Sequence, residues 1–149
     1  MKEMKRKMGI IIKEVSSKTD LEDVLALREE VFIEEQGIDP ALERDSYDQA
    51  AVHVLAQEGS KVIACGRVIF NDSYGKIGRV AVAKSWRKQG IGRKICQKII
   101  AIADERNCSR LVLEAQVDAV DFYRKLGFET NGDIFQEAGI EHIKMTATL

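Results

Sequence analysis

The chain has 149 residues, of which 45% are hydrophobic and 32% charged, with a formal net charge of -1. This length suits one ordinary domain with a substantial core, and the composition is typical of a soluble globular protein. The near-neutral charge argues against a nucleic-acid partner, and the lack of any run of roughly 20 apolar residues argues against a membrane partner.

The first third of the chain predicts a strand and a helix. Residues 1–8 carry a basic cluster and no apolar core of the kind a secretory signal has, so we expect a flexible N-terminus. The apolar, β-branched run from Gly9 to Val15 predicts the first strand. Asp20 can cap a helix with apolar residues at helical spacing, which Gly37 stops. The polar segment 38–49 is interpreted as a loop with a short helix.

The middle of the chain predicts three antiparallel strands in succession. Residues 50–56 and 62–70 flank a short glycine-containing turn, which is the pattern of a β-hairpin. A second turn at 71–75 leads into the strand 76–82. The period then changes, because isoleucines recur at helical spacing between residues 91 and 107.

The last third predicts a strand, a helix and two further strands. Leu111–Leu113 is a short buried strand, and residues 117–126 form a helix that Gly127 ends. Phe128 starts a strand, and residues 139–147 give the final one. The order of elements predicts the α/β (α+β) class, with a mixed sheet and helices on its faces. No repeat or linker interrupts the chain, so we expect residues 1–149 to form a single domain.

The cysteines indicate the compartment and argue against a metal. Cys65, Cys96 and Cys108 are odd in number, widely spaced and without a Cys-x-x-Cys pair. This pattern predicts neither a zinc site nor a disulfide framework. We therefore expect no metal, a cytoplasmic location, and cysteines that pack as small hydrophobic residues.

The segment 79–93 is the strongest candidate for a ligand site. A strand runs into a short loop that opens a helix, and Gly90 and Gly92 lie at the helix start. The first-turn N–H groups of a helix have no internal partners, and the helix dipole adds partial positive charge. Arg87 and Lys88 add formal charge, so a pyrophosphate would be well satisfied. The Rossmann and Walker A patterns do not match, and the glycines alone suit an ordinary helix start equally well.

Two separate motifs shift this balance towards a ligand site. Residues 80–82 (VAV) followed by 87–92 (RKQGIG) resemble the acyl-CoA loop of the GNAT N-acetyltransferases. Residues 119–128 (AVDFYRKLGF) resemble that family's A-x-x-F-Y-x-x-x-G-F signature. Residues 27–36 (LREEVFIEEQ) and 137–145 (EAGIEHIKM) are similar to its ElaA/YjcF-like branch. The resemblance covers nearly the whole chain and implies a mostly antiparallel sheet of six to seven strands.

The resemblance implies an N-acetyltransferase that uses acetyl-CoA as co-substrate. The acetyl group would move to a small-molecule or peptide amine by direct attack, without a covalent enzyme intermediate. The expected cofactor-binding residues are Val80, Ala81, Val82, Arg87, Lys88, Gln89, Gly90, Ile91, Gly92, Arg93, Gln116 and Phe122. Gln116 departs from the family, where many members have Asn at this position. The alternative is a catalytically silent acyl-CoA sensor or interaction module.

The resemblance also assigns Tyr123 as the general acid, beside the CoA sulfur. The general base stays open, because the fourth strand carries Arg79 and no acid. The candidates are Glu34, Glu35, Asp45, Asp48, His53, Glu114, Glu137 and His142. Of these, Glu35 ends the first helix beside the expected acceptor cleft, and His53 has a near-neutral reference pKa. Either residue could instead be structural, Glu35 as a solvated helix end and His53 as a strand residue.

The final strand carries one further prediction. We expect it to lie at an exposed edge of the sheet, where unpaired backbone groups offer a template for another chain. A homodimer through this edge is therefore possible.

Overall fold

The computed structural model describes residues 9–149, and the basic cluster and flexible N-terminus predicted for residues 1–8 lie outside this part of the chain. One eight-stranded sheet forms its centre, in the order β1-β2-β3-β4-β5-β8-β6, with β7 also pairing with β8. The strands are β1 Ile10–Glu14, β2 Val52–Glu58, β3 Lys61–Phe70, β4 Gly75–Val82, β5 Arg110–Gln116, β6 Glu129–Thr130, β7 Phe135–Glu137 and β8 Ile140–Thr148. The predicted mixed, mostly antiparallel class is confirmed, since only β4 and β5 pair in parallel. The strand predicted to start at Phe128 is the short β6, and the additional strand β7 brings the total to eight, above the predicted six to seven.

Helices cover both faces of the sheet. They are α1 Lys18–Arg28, α2 Pro40–Glu43, α3 Ile91–Glu105 and α4 Val120–Arg124, together with a π-helical segment Glu29–Glu35. Three 3₁₀ turns complete the set, at Ser46–Gln49, Lys84–Trp86 and Val117–Ala119. The predicted helix 117–126 is therefore shorter, being divided between a 3₁₀ turn and α4. Within residues 9–149, no helix has the length and apolar character needed to cross a membrane.

The two large helices lie on opposite faces of β3. A Cβ atom at Gly66 would lie 2.9 Å from Ile95 of α3, so even-numbered residues of β3 in this stretch face α3. The neighbouring residue Arg67 points the other way, into an ion-pair cluster with Arg28 of α1. Successive strand residues alternate between faces. We call the two sides of the sheet the α1 face and the α3 face.

The first helix differs from its prediction at both ends. Its N-cap is Ser17 rather than Asp20, because the Ser17 hydroxyl accepts a hydrogen bond from the Asp20 N–H at 3.1 Å. The regular helix ends at Arg28, and the chain continues as a π-helix, in which the Gln36 N–H donates to the Val31 carbonyl at 3.1 Å. π-helical turns occur frequently at functional sites. Here the π-helical turn places the end of the segment over the rim of the sheet.

The final strand is not an edge, so that prediction is wrong. β8 pairs with β5 on one side and with β6 and β7 on the other. Its backbone groups are therefore engaged on both sides, and β8 offers no free template for a second subunit.

The middle of the sheet opens between β4 and β5. The two strands pair only from Gly75 with Leu111 to Ile77 with Leu113. A bulge follows in β4, where the register with β3 shifts and Arg79 has a φ of 54°. Beyond the bulge, each strand continues to its end without pairing with the other. The result is a V-shaped opening whose lips are the ends of β4 and β5.

Candidate functional site

The start of α3 lies at the β4 side of the opening. Gly90 is the N-cap, with a φ of 80° that favours glycine, and no side chain caps the helix. The first helical hydrogen bond runs from the Lys94 N–H to the Gly90 carbonyl at 3.2 Å. The N–H groups of Ile91, Gly92 and Arg93 consequently have no acceptor within the helix. Three donors at the positive end of a fifteen-residue helix form a site that suits an anion.

Gly92 lies at a point of close packing. A Cβ atom at this position would lie 3.3 Å from Cγ2 of Val82 and 3.5 Å from Cζ of Phe122. The end of β4, the first turn of α3 and α4 therefore meet around Gly92. The structure thus brings together Val82, Gly92 and Phe122, which the sequence had assigned to one cofactor site.

Arg87 is held by an acidic partner in this structure. Its guanidinium group donates to both carboxylate oxygens of Glu35, at 2.5 and 2.7 Å, and its Nε donates to the Val82 carbonyl at 2.9 Å. The hydrogen bond from Arg87 holds the pKa of Glu35 below its ordinary value. Glu35 thus forms an ion pair with the guanidinium group to which the resemblance assigns pyrophosphate binding. Its low pKa also makes it a weak proton acceptor.

The residue after Glu35 contacts the other lip of the opening. The Gln116 side chain, at the end of β5, donates to the Gln36 side-chain oxygen at 2.9 Å. The end of the π-helical segment therefore bridges the opening on the α1 face. Gln116 and Arg87 lie at opposite lips, as a shared cofactor would require.

Tyr123 lies on the α3 face. Its ring packs edge-on against Phe122 and Phe128, with centroids 5.0 and 6.1 Å away. Burial raises the pKa of the Tyr123 phenol above its ordinary value, and the nearby Cys96 thiol adds to this effect. Within residues 9–149, no hydrogen bond engages the Tyr123 hydroxyl. The phenol therefore keeps its proton at neutral pH and is able to donate it.

A buried ion-pair cluster lies on the α1 face. Arg28 binds Glu43 at 2.6 Å and Asp48 at 2.8 Å, and Arg67 binds the same Asp48 at 2.6 Å and Asp45 at 2.7 Å. Arg28 and Glu43 are 0% and 2% exposed. The cluster ties the segment 38–49 to the sheet. Sequence reasoning missed it, although an arginine at position 28, within the helical apolar pattern, was its signal.

His53 belongs to this cluster. Its Nε2 donates to the Asp48 carbonyl at 2.8 Å, and its Nδ1 is buried without a hydrogen-bond partner among residues 9–149. Burial lowers the pKa of His53, so the ring is neutral. The predicted base is thus placed inside a packed structural cluster, with its exchangeable proton already engaged.

Of the four remaining base candidates, Glu34 lies in the π-helical segment and the other three lie together on the sheet. Glu114 of β5, Glu137 of β7 and His142 of β8 form a group beside the opening, with His142 Nε2 4.0 Å from Glu137 Oε2. Sequence analysis named these residues without relating them. Within the described part of the chain, no three metal-ligating side chains are arranged to hold a metal ion.

Comparisons with known proteins agree with this geometry. Residues 14–149 match a family model described as an acetyltransferase (GNAT) domain. The uncharacterized N-acetyltransferase YjcF of Bacillus subtilis is 36% identical over 126 residues, covering 84% of this chain and 90% of YjcF. Escherichia coli ElaA superposes with a TM-score of 0.84 at 26% identity, over 93% of this chain and 99% of ElaA. A GNAT family acetyltransferase from Elizabethkingia anophelis, with acetyl-CoA bound, shares the fold at a TM-score of 0.74 and 22% identity, over 95% of this chain and 99% of that one.

Proposed function

The chain belongs to the GNAT acetyltransferase family, and from this premise we propose that it transfers an acetyl group from acetyl-CoA to an amine by direct attack. The observation that carries the proposal is the opening between β4 and β5, with an uncapped helix start at its lip. The structural neighbour from Elizabethkingia anophelis holds acetyl-CoA in the same fold. A small-molecule or peptide amine is the expected acceptor.

The residues present fit an acyl-CoA co-substrate. The free edge of β4 at residues 80–82 offers backbone groups to the pantetheine arm, and the first-turn N–H groups of α3 suit the pyrophosphate. Because Gly92 has no Cβ atom, the first turn of α3 packs closely against Val82 at the end of β4. The residues proposed to contact the co-substrate are Val80, Ala81, Val82, Arg87, Lys88, Gln89, Gly90, Ile91, Gly92, Arg93, Gln116 and Phe122.

Acetyl-CoA supplies an activated acyl group. The chain would position the two reactants and stabilise the charge that develops during transfer. A backbone N–H near Val82 would stabilise the carbonyl oxygen as it gains negative charge, an effect worth roughly 2–4 kcal/mol per donor elsewhere. Tyr123 would give its proton to the departing sulfur. Holding the two reactants together contributes about 7–11 kcal/mol in favourable cases.

The cysteines support direct attack rather than an acyl-enzyme. Burial raises the pKa of the Cys65 and Cys96 thiols to about 12. A thiol reacts as its thiolate, which these residues do not form at neutral pH. Cys108 precedes β5, at the end of that strand away from the opening, so the amine itself attacks the acyl carbon.

One observation favours a second function, a silent acyl-CoA sensor. Glu35 holds the Arg87 guanidinium, and in a sensor this pair would exchange when the anionic ligand binds. The two functions differ in turnover, because only the enzyme releases free CoA when an amine is present.

Titration calorimetry with acetyl-CoA tests the site. Gly90→Glu places a carboxylate at the helix start and should abolish binding. Gly132→Glu is the matched control, because both glycines have a positive φ and open space around a Cβ atom. The control should bind acetyl-CoA like the wild type. If both variants bind acetyl-CoA equally well, acetyl-CoA does not bind at the start of α3 and the proposed site is wrong.

A thiol-release assay then separates enzyme from sensor. The wild type is mixed with acetyl-CoA and, in turn, benzylamine, spermidine or a tripeptide with a free N-terminus. Release of CoA above the amine-free rate supports the transferase. Binding of acetyl-CoA without release from any of the three favours the sensor.

A further inference from the structure

His142 has a fixed ring with a free basic nitrogen. Its Nδ1 lies 2.8 Å from the carbonyl oxygen of Ile140. A carbonyl only accepts hydrogen bonds, so Nδ1 carries the proton and Nε2 carries the lone pair. The ring stacks on Phe135, with centroids 5.9 Å apart, and is 8% exposed. The imidazole is therefore held with a proton acceptor at a defined position.

The lone pair of Nε2 points towards an acidic pair. Its neighbour is Glu137 Oε2 at 4.0 Å, and no other side chain within residues 9–149 engages this nitrogen. The gap of 4.0 Å exceeds a hydrogen bond. The arrangement thus leaves Nε2 of a largely buried imidazole without a hydrogen bond from these residues and near the Glu137 carboxyl group.

The pKa values of the two carboxyl groups are shifted in opposite directions. Partial burial and a hydrogen bond with Glu114 raise the pKa of Glu137. Burial also acts to raise the pKa of Glu114, but the hydrogen bond from Lys76, at 3.0 Å, together with the contact with Glu137 and the nearby positive charge, lowers the pKa overall. The pair consequently keeps a negative charge beside His142. That charge suits an approaching ammonium group.

The cluster lies on the α1 face, at the opening. Glu114 is the first β5 residue beyond the last pair with β4, which joins Ile77 and Leu113. Gln116, two residues further on, contacts the π-helical segment and so marks the α1 face. His142 pairs in register with Gln116, and directly opposite residues share a face. His142 and Glu114 therefore border the opening from this side.

Tyr123 borders the opening from the other side. Its neighbour Phe122 lies against Gly92 at the start of α3, and Cys96 of α3 acts on its phenol. A proton acceptor on one face and a donor on the other suit a reaction in which a nucleophile enters and a leaving group departs at one carbon. Glu35 offers no such placement, since Arg87 holds its carboxylate oxygens, and the remaining ring nitrogen of His53 is buried within the Arg28 cluster.

We propose that His142 Nε2 removes the proton from the acceptor amine, and that Glu137 and Glu114 position the ammonium group beside it. The proposal rests on the acetyltransferase function proposed above. The ammonium gives one proton to Nε2, which passes it to solvent. The freed lone pair forms the new C–N bond as the C–S bond breaks. The nitrogen loses its second proton as the amide forms, and the sulfur gains one, so free CoA thiol and one released proton balance the reaction.

The test compares pH profiles of kcat/KM, using acetyl-CoA and whichever of the three amines releases CoA fastest. The charged groups facing His142 are Glu137 from β7, Glu114 from β5, Lys76 from β4 and Lys144 from β8. His142→Gln should lower kcat about 100-fold and remove the rising limb of the profile. The acetyl-CoA Kd should stay unchanged. Glu137→Gln removes the carboxyl group nearest to Nε2 and should raise the KM for the amine while keeping the rising limb.

Two controls separate chemistry from folding. Glu141→Gln changes the adjacent, exposed residue on the opposite face and should match the wild type. His142→Gly should regain activity when imidazole is added, a rescue that a structural role would not give. If the wild type turns over and His142→Gln keeps the wild-type rate and rising limb, His142 is not the base, and the transferase function still stands. A wild type that binds acetyl-CoA but releases no thiol with any amine overturns the transferase function and the base together.

Discussion

Replacing Arg28 with Met should be among the most destabilising changes in this chain. Arg28 donates to both carboxylate oxygens of Glu43, at 2.8 and 2.6 Å, and to Asp48 at 2.8 Å. Methionine fills much of the same volume but carries no charge. The change leaves Glu43 buried, with Arg79 Nε at 3.7 Å as the nearest cation. Removing one partner of a buried pair costs about 3–5 kcal/mol, and we expect a loss of that size.

Urea unfolding followed by tryptophan fluorescence measures this loss. Trp86 is the single tryptophan of the chain and is 4% exposed, so unfolding changes its surroundings. Arg44→Met is the matched control. It makes the same chemical change at an exposed pair, where Arg44 lies 4.0 Å from Glu29, and should cost less than about 1 kcal/mol.

A double variant tests the reason for the loss. Arg28→Met combined with Glu43→Met removes both charges, and a well-packed apolar pair is often as stable as a buried ion pair. The double variant should therefore regain much of the stability that the single variant loses. A loss below about 1 kcal/mol in Arg28→Met, or a double variant no more stable than the single one, would refute the reasoning.

Four further results are expected. Tyr123→Phe should lower kcat about 100-fold without changing the acetyl-CoA Kd, because only the proton donor is lost. Glu35→Gln should release Arg87 and tighten acetyl-CoA binding about 2- to 5-fold in calorimetry, as an exposed ion pair is worth about 1 kcal/mol or less. Burial acts to raise the pKa of Asp48, but two buried guanidinium groups outweigh it and lower the pKa to about 2. Its contribution of about 2 kcal/mol, present above pH 4, should be lost in urea titrations as pH falls through 2. Cys108 should be the one cysteine labelled by a thiol reagent in the folded protein, since burial raises the pKa of the other two thiols to about 12.

Each of these expectations has a contrary outcome. A Tyr123→Phe enzyme with wild-type kcat would remove the phenol from the mechanism. Weaker acetyl-CoA binding by Glu35→Gln would mean that the carboxylate holds Arg87 in its binding position rather than competing for it. Stability that is flat between pH 5 and 2 would contradict the depressed pKa of Asp48. Native labelling of all three thiols would show that the core opens readily.

Local sequence pattern determined the main elements and predicts the cofactor loop. The three central strands and α3 follow from hydrophobic spacing along the chain, which is readable because each element buries one side of itself. The glycines at 90 and 92 indicated an anion site because a helix start lacks internal acceptors whatever surrounds it. The resemblance to the GNAT family added the co-substrate, and the family match supports it.

The order of the strands in the sheet could not be predicted from local sequence pattern. The final strand looked like an edge because it comes last in the chain, yet β8 lies between β5 and the short strands β6 and β7. Pairing partners are chosen in three dimensions, and alternation along one strand does not encode them. The bulge at Arg79, which helps β4 leave β5, likewise depends on its neighbours in the sheet.

The sequence by itself determined the class of fold and the order of the main elements, and it predicts the residues of an acyl-CoA loop. Tertiary structure alone decided which ionisable groups remain available for proton transfer. Glu35 is paired with Arg87, His53 is enclosed in the Arg28 cluster, and His142 is left with a free nitrogen. The physical reason is that proton affinity depends on burial and on charges within a few ångströms. Residues far apart in the chain supply those charges, so only folding brings them together.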